Sequence, residues 1–345
     1  MVSQCPKPTV HIRRVIESID SKTSKFHSVV AQDHIFTELQ AARERFLVLV
    51  EELRPDLHRY CARMTGSVID GEDVVQETLA RAYYELAELK EMPALRSWLF
   101  RIAHNRAIDY LRARARRVSE PLDEAIEFPA DPSLEPDNAA AREEAIHGAL
   151  SRFLELAPVQ RSCVILKDVF DYSLDEIAAM LGLTVPAIKA ALVRGRTRLR
   201  KQSTPTNTDE ESEVLSASVS PALVRYAELF NRRDWDGLRT MLVDDVKLEL
   251  ASRFKREGRV EVGNYFTNYD GIAGWKVVPG TLDGREVLAV FVNSNDPRPS
   301  YFVQLTFSNE RVAAIRDFRY VPYIVRDASI ELKSQTEIHK KKGNV

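Results

Sequence analysis

Between Val118 and Asn138 the chain carries seven carboxylates, four prolines and not one lysine or arginine. Such a stretch lacks the apolar periodicity of a packed element and reads as an extended acidic linker. At about 3.3 Å per residue it spans on the order of 70 Å, roughly two turns of B-DNA. The segments on either side are therefore expected to fold as separate bodies.

Both flanks are helical. From Asp33 to about Arg117 apolar residues recur at steps of three and four, as in Phe46, Val50, Leu53, Leu57, Tyr60 and Met64, then Val74, Val75, Leu79, Ala82, Tyr83 and Leu86. Gly66, Gly71 and Pro93 divide them into a small bundle. A second helical block runs from Ala139 to Lys201, and a polar, acidic linker follows. Beyond Ser220 come one or two helices and then strand-like runs such as "VKLEL", "REVLAVFV", "SYFVQLTF" and "RVAAIRDFRYV", separated at Asp283-Gly284 and Ser308-Asn309. Helices followed by a curved antiparallel sheet describe an α+β third domain.

A length of 345 residues predicts two or three domains, and 44% hydrophobic content excludes a disordered chain. No apolar run nears the roughly 18 residues of a membrane helix; the tightest cluster, Phe46 to Val50, stops at Glu51. No apolar stretch precedes a small-residue cleavage site, so no secretory signal is expected. Cys5, Cys61 and Cys163 are scattered, which argues against a disulfide framework or structural zinc and for a reducing cytoplasm. There is no metal-ligand spacing and no phosphate-binding glycine loop, so no cofactor is expected. The net charge of -2 conceals strong segregation of charge along the chain.

The sharpest segment is "YSLDEIAAMLGLTVPAIKAALVRGRTRLRK". Ser173 with Glu176 forms a capping box, Gly182 suits a left-handed helix end, and Thr184 with Pro186 starts a second helix. Lys189, Arg194, Arg196, Arg198, Arg200 and Lys201 follow, with no acidic residue after Glu176. A short helix, a glycine turn and a cationic second helix are what a helix-turn-helix needs to enter the major groove. The first block has its own basic run, "RSWLFRIAHNRAIDYLRARARR", whose cations suit phosphates and whose aromatics offer faces to unpaired bases. Trp98 by itself reads more readily as a core anchor than as a base-stacker.

Taken together, "GEDVVQETLARAY" with "LRSWLFRIAHNRAIDYLRARARR" resembles region 2 of bacterial sigma factors, and "LELAPVQRSCVILKDVFDYSLDEIAAMLGLTVPAIKAALVRGRTRLR" resembles region 4. Only these two, joined by an acidic linker, is the pattern of the extracytoplasmic-function (ECF) group of the sigma-70 family. The segment "AELFNRRDWDGLRTMLVDDVKLEL" resembles the cone-shaped SnoaL-like fold. The resemblance implies a multidomain chain of two all-α domains plus an α+β cone. Its boundaries are a poorly ordered extension at 1–36, region 2 at 37–117, the acidic linker at 118–138, region 4 at 139–201, a flexible linker at 202–218, the SnoaL-like regulatory domain at 219–332 and a tail at 333–345.

The same resemblance implies roles. Asp73, Gln76, Glu77 and Arg81 would contact the β′ clamp helices of core RNA polymerase, and region 4 would meet the β flap. The loop from Leu89 to Leu95 and the helix after it would capture the −10 element through Arg96, Trp98, Arg101, His104, Asn105, Arg106, Asp109 and Arg112. Thr184, Pro186, Lys189, Arg194, Arg196 and Arg198 would read the −35 element, and the acidic linker would thread toward the polymerase cleft. One departure stands out: Lys189 is followed by Ala190 and Ala191, where the family has a small polar residue and then an arginine. A missing bidentate guanidinium removes roughly 1–3 kcal/mol of base discrimination.

In the third domain Asp244, Asp245, Asp283 and Asp317 are the candidates for a general base, but no His–Asp pairing supports catalysis there. A regulatory domain that docks on the two sigma modules is expected instead, with room for an unidentified small ligand that shifts docking. The expected function is that of a non-enzymatic, cytoplasmic initiation factor directing core polymerase to promoters. Two alternatives are a sigma mimic that binds regulators but no promoter, and a SnoaL-like isomerase or cyclase fused to a DNA-binding module.

Overall fold

The computed structural model describes residues 29–86, 94–119, 153–202, 219–269, 271–272 and 274–333. The acidic stretch 120–138, the loop 87–93, the linker 203–218 and the tail from 334 lie outside the described residues.

Helix α1 (Val29–Thr65) begins inside the segment 1–36 expected to lack structure, because no glycine or proline interrupts its backbone between Val29 and Thr37. It turns at Gly66 (φ +78°) into α2 (Val68–Leu86), and α3 (Leu95–Ser119) completes the bundle. Gly71 lets the first two helices touch, since a Cβ there would lie 2.6 Å from the Ala62 backbone nitrogen. The second block comprises α4 (Pro158–Val164), a π-turn at Ile165–Val169, α5 (Leu174–Leu181) and α6 (Val185–Gln202).

The two blocks do not form separate bodies. Tyr60, Met64, Leu99 and Phe100 of the first share one buried core with Leu156, Cys163, Ile165, Ile177 and Met180 of the second. Phe100 meets both Phe170 and Tyr172 edge-on, with ring centroids about 6 Å apart. The length of the acidic tether permits separation, but burial of apolar surface favours contact.

The C-terminal domain opens with α7 (Pro221–Asn231) and α8 (Trp235–Thr240). Its seven strands are β1 (Leu242–Leu250), β2 (Phe254–Glu257), β3 (Lys276–Leu282), β4 (Arg285–Phe291), β5 (Tyr301–Ser308), β6 (Arg311–Asp317) and β7 (Ile330–Leu332). Helix α9 (Arg259–Gly263) and a 3-10 turn (Asn264–Tyr269) follow β2, and a second 3-10 turn (Pro322–Asp327) precedes β7. The sheet order is β2-β1-β6-β5-β4-β3-β7. It is mixed rather than purely antiparallel, because the chain returns after the β3–β5 meander to lay β6 parallel to β1.

Asn231, at the end of α7, imitates a strand. Its side-chain amide donates to the Val277 carbonyl and accepts from the Val277 N–H, both at 2.9 Å. Strand β3 carries Pro279 and Gly280 in its interior, and the glycine is needed there: a Cβ would lie 2.4 Å from the Glu331 carbonyl on β7. The β3–β4 hairpin turns on Asp283 (φ 52°) and Gly284 (φ 70°), both left-handed as a type I′ turn requires.

Because Gly71 sits against backbone rather than a flexible side chain, Gly71→Ala is expected to destabilise the protein by about 1–3 kcal/mol. A melting temperature unchanged from that of the parent chain would refute the close approach of α1 and α2.

Candidate functional site

The second block builds a helix-turn-helix from local signals. Ser173 accepts from the Glu176 N–H while the Glu176 carboxylate accepts from the Ser173 N–H, closing a capping box. Gly182 at φ 66° ends α5, and the Thr184 hydroxyl accepts from Ala187 N–H at the start of α6. The two helices bend by 100° at this break. Ile188, Ala191 and Leu192 face the core. Thr184, Pro186, Lys189, Arg194 and Arg198 are exposed together on the outer side of the motif. Arg196 is taken out of that set by a bidentate ion pair with Asp168 (3.1 and 2.5 Å).

The −10 candidates on α3 divide differently. His104 is only 7% exposed, and its Nδ1 sits 3.0 Å from the Tyr60 hydroxyl and 2.9 Å from the Ser162 hydroxyl. This three-residue knot ties the first block to the second. Beside it Arg161 donates to the carbonyls of Met64, Leu154 and Leu156. Arg96 bonds Asp56 and the Tyr172 hydroxyl, and Arg101 donates to the Ala179 carbonyl. Trp98 packs edge-on to Phe46 against the core. Asn105, Arg106, Asp109 and Arg112 remain together, lining a groove of about 840 Å³ floored by Pro158 and Val159. The loop at 87–93 lies outside the described residues.

On α2 the polymerase candidates are divided by the C-terminal domain. Arg316 of β6 grips the Asp73 carboxylate with two nitrogens. The adjacent Glu72, with no exposed surface, accepts from Arg54 (2.6 Å), Gln76 (2.7 Å) and the Tyr323 hydroxyl (2.8 Å). Asp70 receives Arg285 at 2.7 Å, and Arg63 pairs with Asp327 at 3.3 Å. Burial lifts the Asp73 carboxyl above its ordinary range, against the opposing pull of Arg316. Glu77 and Arg81 stay exposed, the latter paired with Glu85 on its own helix.

Asp283 supplies a contact that its Asp-Gly turn does not announce. Its carboxylate accepts from the Val68 N–H (2.8 Å), capping the first residue of α2 from the other domain. Ala62, Val68 and Ile69 are buried there with Leu282, Val287, Phe302, Phe318 and Ile324. Of the other carboxylates weighed as bases, Asp244 and Asp245 are exposed, and Asp244 pairs with Arg259 at 3.3 Å. Asp317 is 1% exposed; one oxygen accepts from Tyr265 and Tyr269, and the other from the Arg319 N–H. Burial raises its pKa, while those hydrogen bonds hold it back.

Among the described residues no group of His, Cys, Asp and Glu could hold a metal ion. Among them, too, no single helix is long and apolar enough to cross a membrane.

Comparison with known families matches residues 49–117 to the Sigma-70 region 2 model and 149–199 to the Sigma-70 region 4 model. The ECF RNA polymerase sigma factor SigW of Bacillus subtilis is 30% identical over 170 residues, covering 46% of this chain and 89% of the relative. The chain belongs to the ECF sigma factors. SigG of Mycobacterium tuberculosis, also an ECF RNA polymerase sigma factor, is 32% identical over 235 residues, covering 61% of this chain. This sigma factor spans 62% of the length of that relative. The crystal structure of M. tuberculosis SigJ covers 79% of the chain and 95% of its own, at 19% identity and a TM-score of 0.32.

Burial pushes the His104 pKa from 6.5 down to about 4. Between those values an unfolded chain takes up a proton that the folded one excludes. Stability is therefore complete above pH 6.5 and declines as pH falls toward 4, by about 2 kcal/mol at pH 5 from this residue. His104→Gln is expected to lose less stability between pH 8 and pH 5 than the parent, as read from urea midpoints. Equal losses would refute the neutral, buried imidazole.

Proposed function

We propose that the protein is a promoter-selecting transcription initiation factor, without catalysis of its own, that works with core RNA polymerase in the cytoplasm. In this reading α2 offers Asp73, Gln76, Glu77 and Arg81 to the β′ clamp helices. The α3 surface takes the −10 element, through Arg96, Trp98, Arg101, Asn105, Arg106, Asp109 and Arg112, with His104 released from its knot. The α5–α6 motif reads the −35 element with Thr184, Pro186, Lys189, Arg194 and Arg198. The observation that carries this reading is the helix-turn-helix whose exposed side is cationic, standing on the same chain as a region 2 bundle.

The fused C-terminal domain tunes that activity by competition. Arg316 occupies the carboxylate of Asp73, so polymerase and the C-terminal domain contend for one helix face. Arg96, Arg101 and His104 are likewise held by contacts between the two helical blocks, so engagement of promoter DNA requires these blocks to part.

Run-off transcription with core polymerase and the full-length chain tests both statements. Each ion pair is worth up to about 1 kcal/mol, so Arg316→Ala combined with Arg285→Ala is expected to raise transcript several-fold at limiting polymerase. Transcript unchanged by the double substitution would refute the competition, and no transcript from either chain would refute the initiation role.

A further inference from the structure

Helix α6 distributes its exposed residues in an ordered way. Pro186, Ala190, Val193 and Thr197 recur at steps of four, three and four, so they form one line along the helix. That line runs down the middle of the exposed face, directly opposite buried Ile188, Gly195 and Leu192. Lys189 and Arg200 flank it on one side, Arg194 and Arg198 on the other, all exposed. Val193 is 66% exposed and places a branched apolar side chain in the middle of that line. Thr197 donates its hydroxyl to the Val193 carbonyl at 2.7 Å, so its methyl is what remains to present outward. Ala191 is buried and cannot be a reading position, whereas Ala190 stands in the central line.

A helix lying in the major groove sends its flanks toward the two phosphate walls and its centre line toward the base edges. Here the walls would meet guanidinium and ammonium groups, and the floor would meet methyl groups. Among bases, only thymine presents a methyl group to the major groove. The absence of acidic residues from Ile177 to Lys201 favours a polyanion over a protein surface as the occupant.

Resting on the assignment of α6 as the −35 helix, we propose that Val193, with Ala190 and Pro186, reads thymine methyl groups in the major groove, while Lys189, Arg194, Arg198 and Arg200 hold the phosphates. Base selection by this factor then depends on apolar contact in place of bidentate hydrogen bonds to guanine.

The test uses holoenzyme reconstituted from the full-length chain and core polymerase. Duplexes selected from a library randomised across the upstream element are remade with deoxyuridine replacing thymidine one position at a time, which removes only the methyl. At two or three neighbouring positions this is expected to weaken binding about fourfold each. Val193→Ala should abolish the difference between thymidine and deoxyuridine at its position. Arg194→Ala should weaken both duplexes equally. Selected duplexes indifferent to deoxyuridine at every position would overturn the methyl reading while leaving promoter recognition intact. Failure to select any sequence would overturn promoter recognition and the methyl reading with it.

Discussion

A carboxylate with no exposed surface has to be met by cations and donors, because the solvation it gives up is worth several kcal/mol. Glu72 is in that position, and its partners come from three places: Arg54 on α1, Gln76 on its own helix and Tyr323 on the C-terminal domain. Arg54 also donates to the Tyr323 hydroxyl, closing a ring of three side chains. Removing any one member leaves a buried charge or donor unmatched. The helical bundle and the C-terminal domain are therefore held to a single relative placement at this point, and the neighbouring pairs at Asp70 and Asp73 follow from it.

Strand β6 extends that constraint into the C-terminal domain. Arg316 reaches out to Asp73, Asp317 turns inward to the hydroxyls of Tyr265 and Tyr269, and Phe318 joins the apolar cluster against Ala62 and Ile69. Three consecutive residues thus serve the docking ion pair, the domain interior and the apolar interface. A shift of the strand register by one residue would exchange these faces. The second seam, where Tyr60, His104 and Ser162 meet, holds the two helical blocks in the same closed arrangement.

Features set by neighbouring residues were legible in the sequence. The capping box at Ser173, the left-handed Gly182, the cationic α6 and the Asp283-Gly284 turn each depend on residues within a few positions. Strand β3 is not among the strand-like runs named from the sequence: it carries Pro279 and Gly280 in its interior, and Gly280 accommodates the Glu331 backbone of β7, a neighbour far along the chain. The parallel pairing of β1 with β6, the capping of α2 by Asp283 and the burial of His104 all join residues far apart in the chain. None leaves a periodic or compositional trace. Arg196 shows the same limit on a smaller scale: it belongs to the basic run, yet Asp168 removes it from the exposed set.

Covering Asp73 with a domain of the same polypeptide has a consequence for gene dosage. A covering group supplied by a separate protein can be titrated away when its target is overproduced. Here each new copy arrives with its own cover in one-to-one ratio, at a local concentration on the order of millimolar for a short connection. Making more of the protein raises the number of covered molecules without changing the fraction uncovered. Under the proposed competition the uncovered number then rises in simple proportion to expression, with no titration threshold, and the activity of each molecule follows whatever alters the docking equilibrium itself.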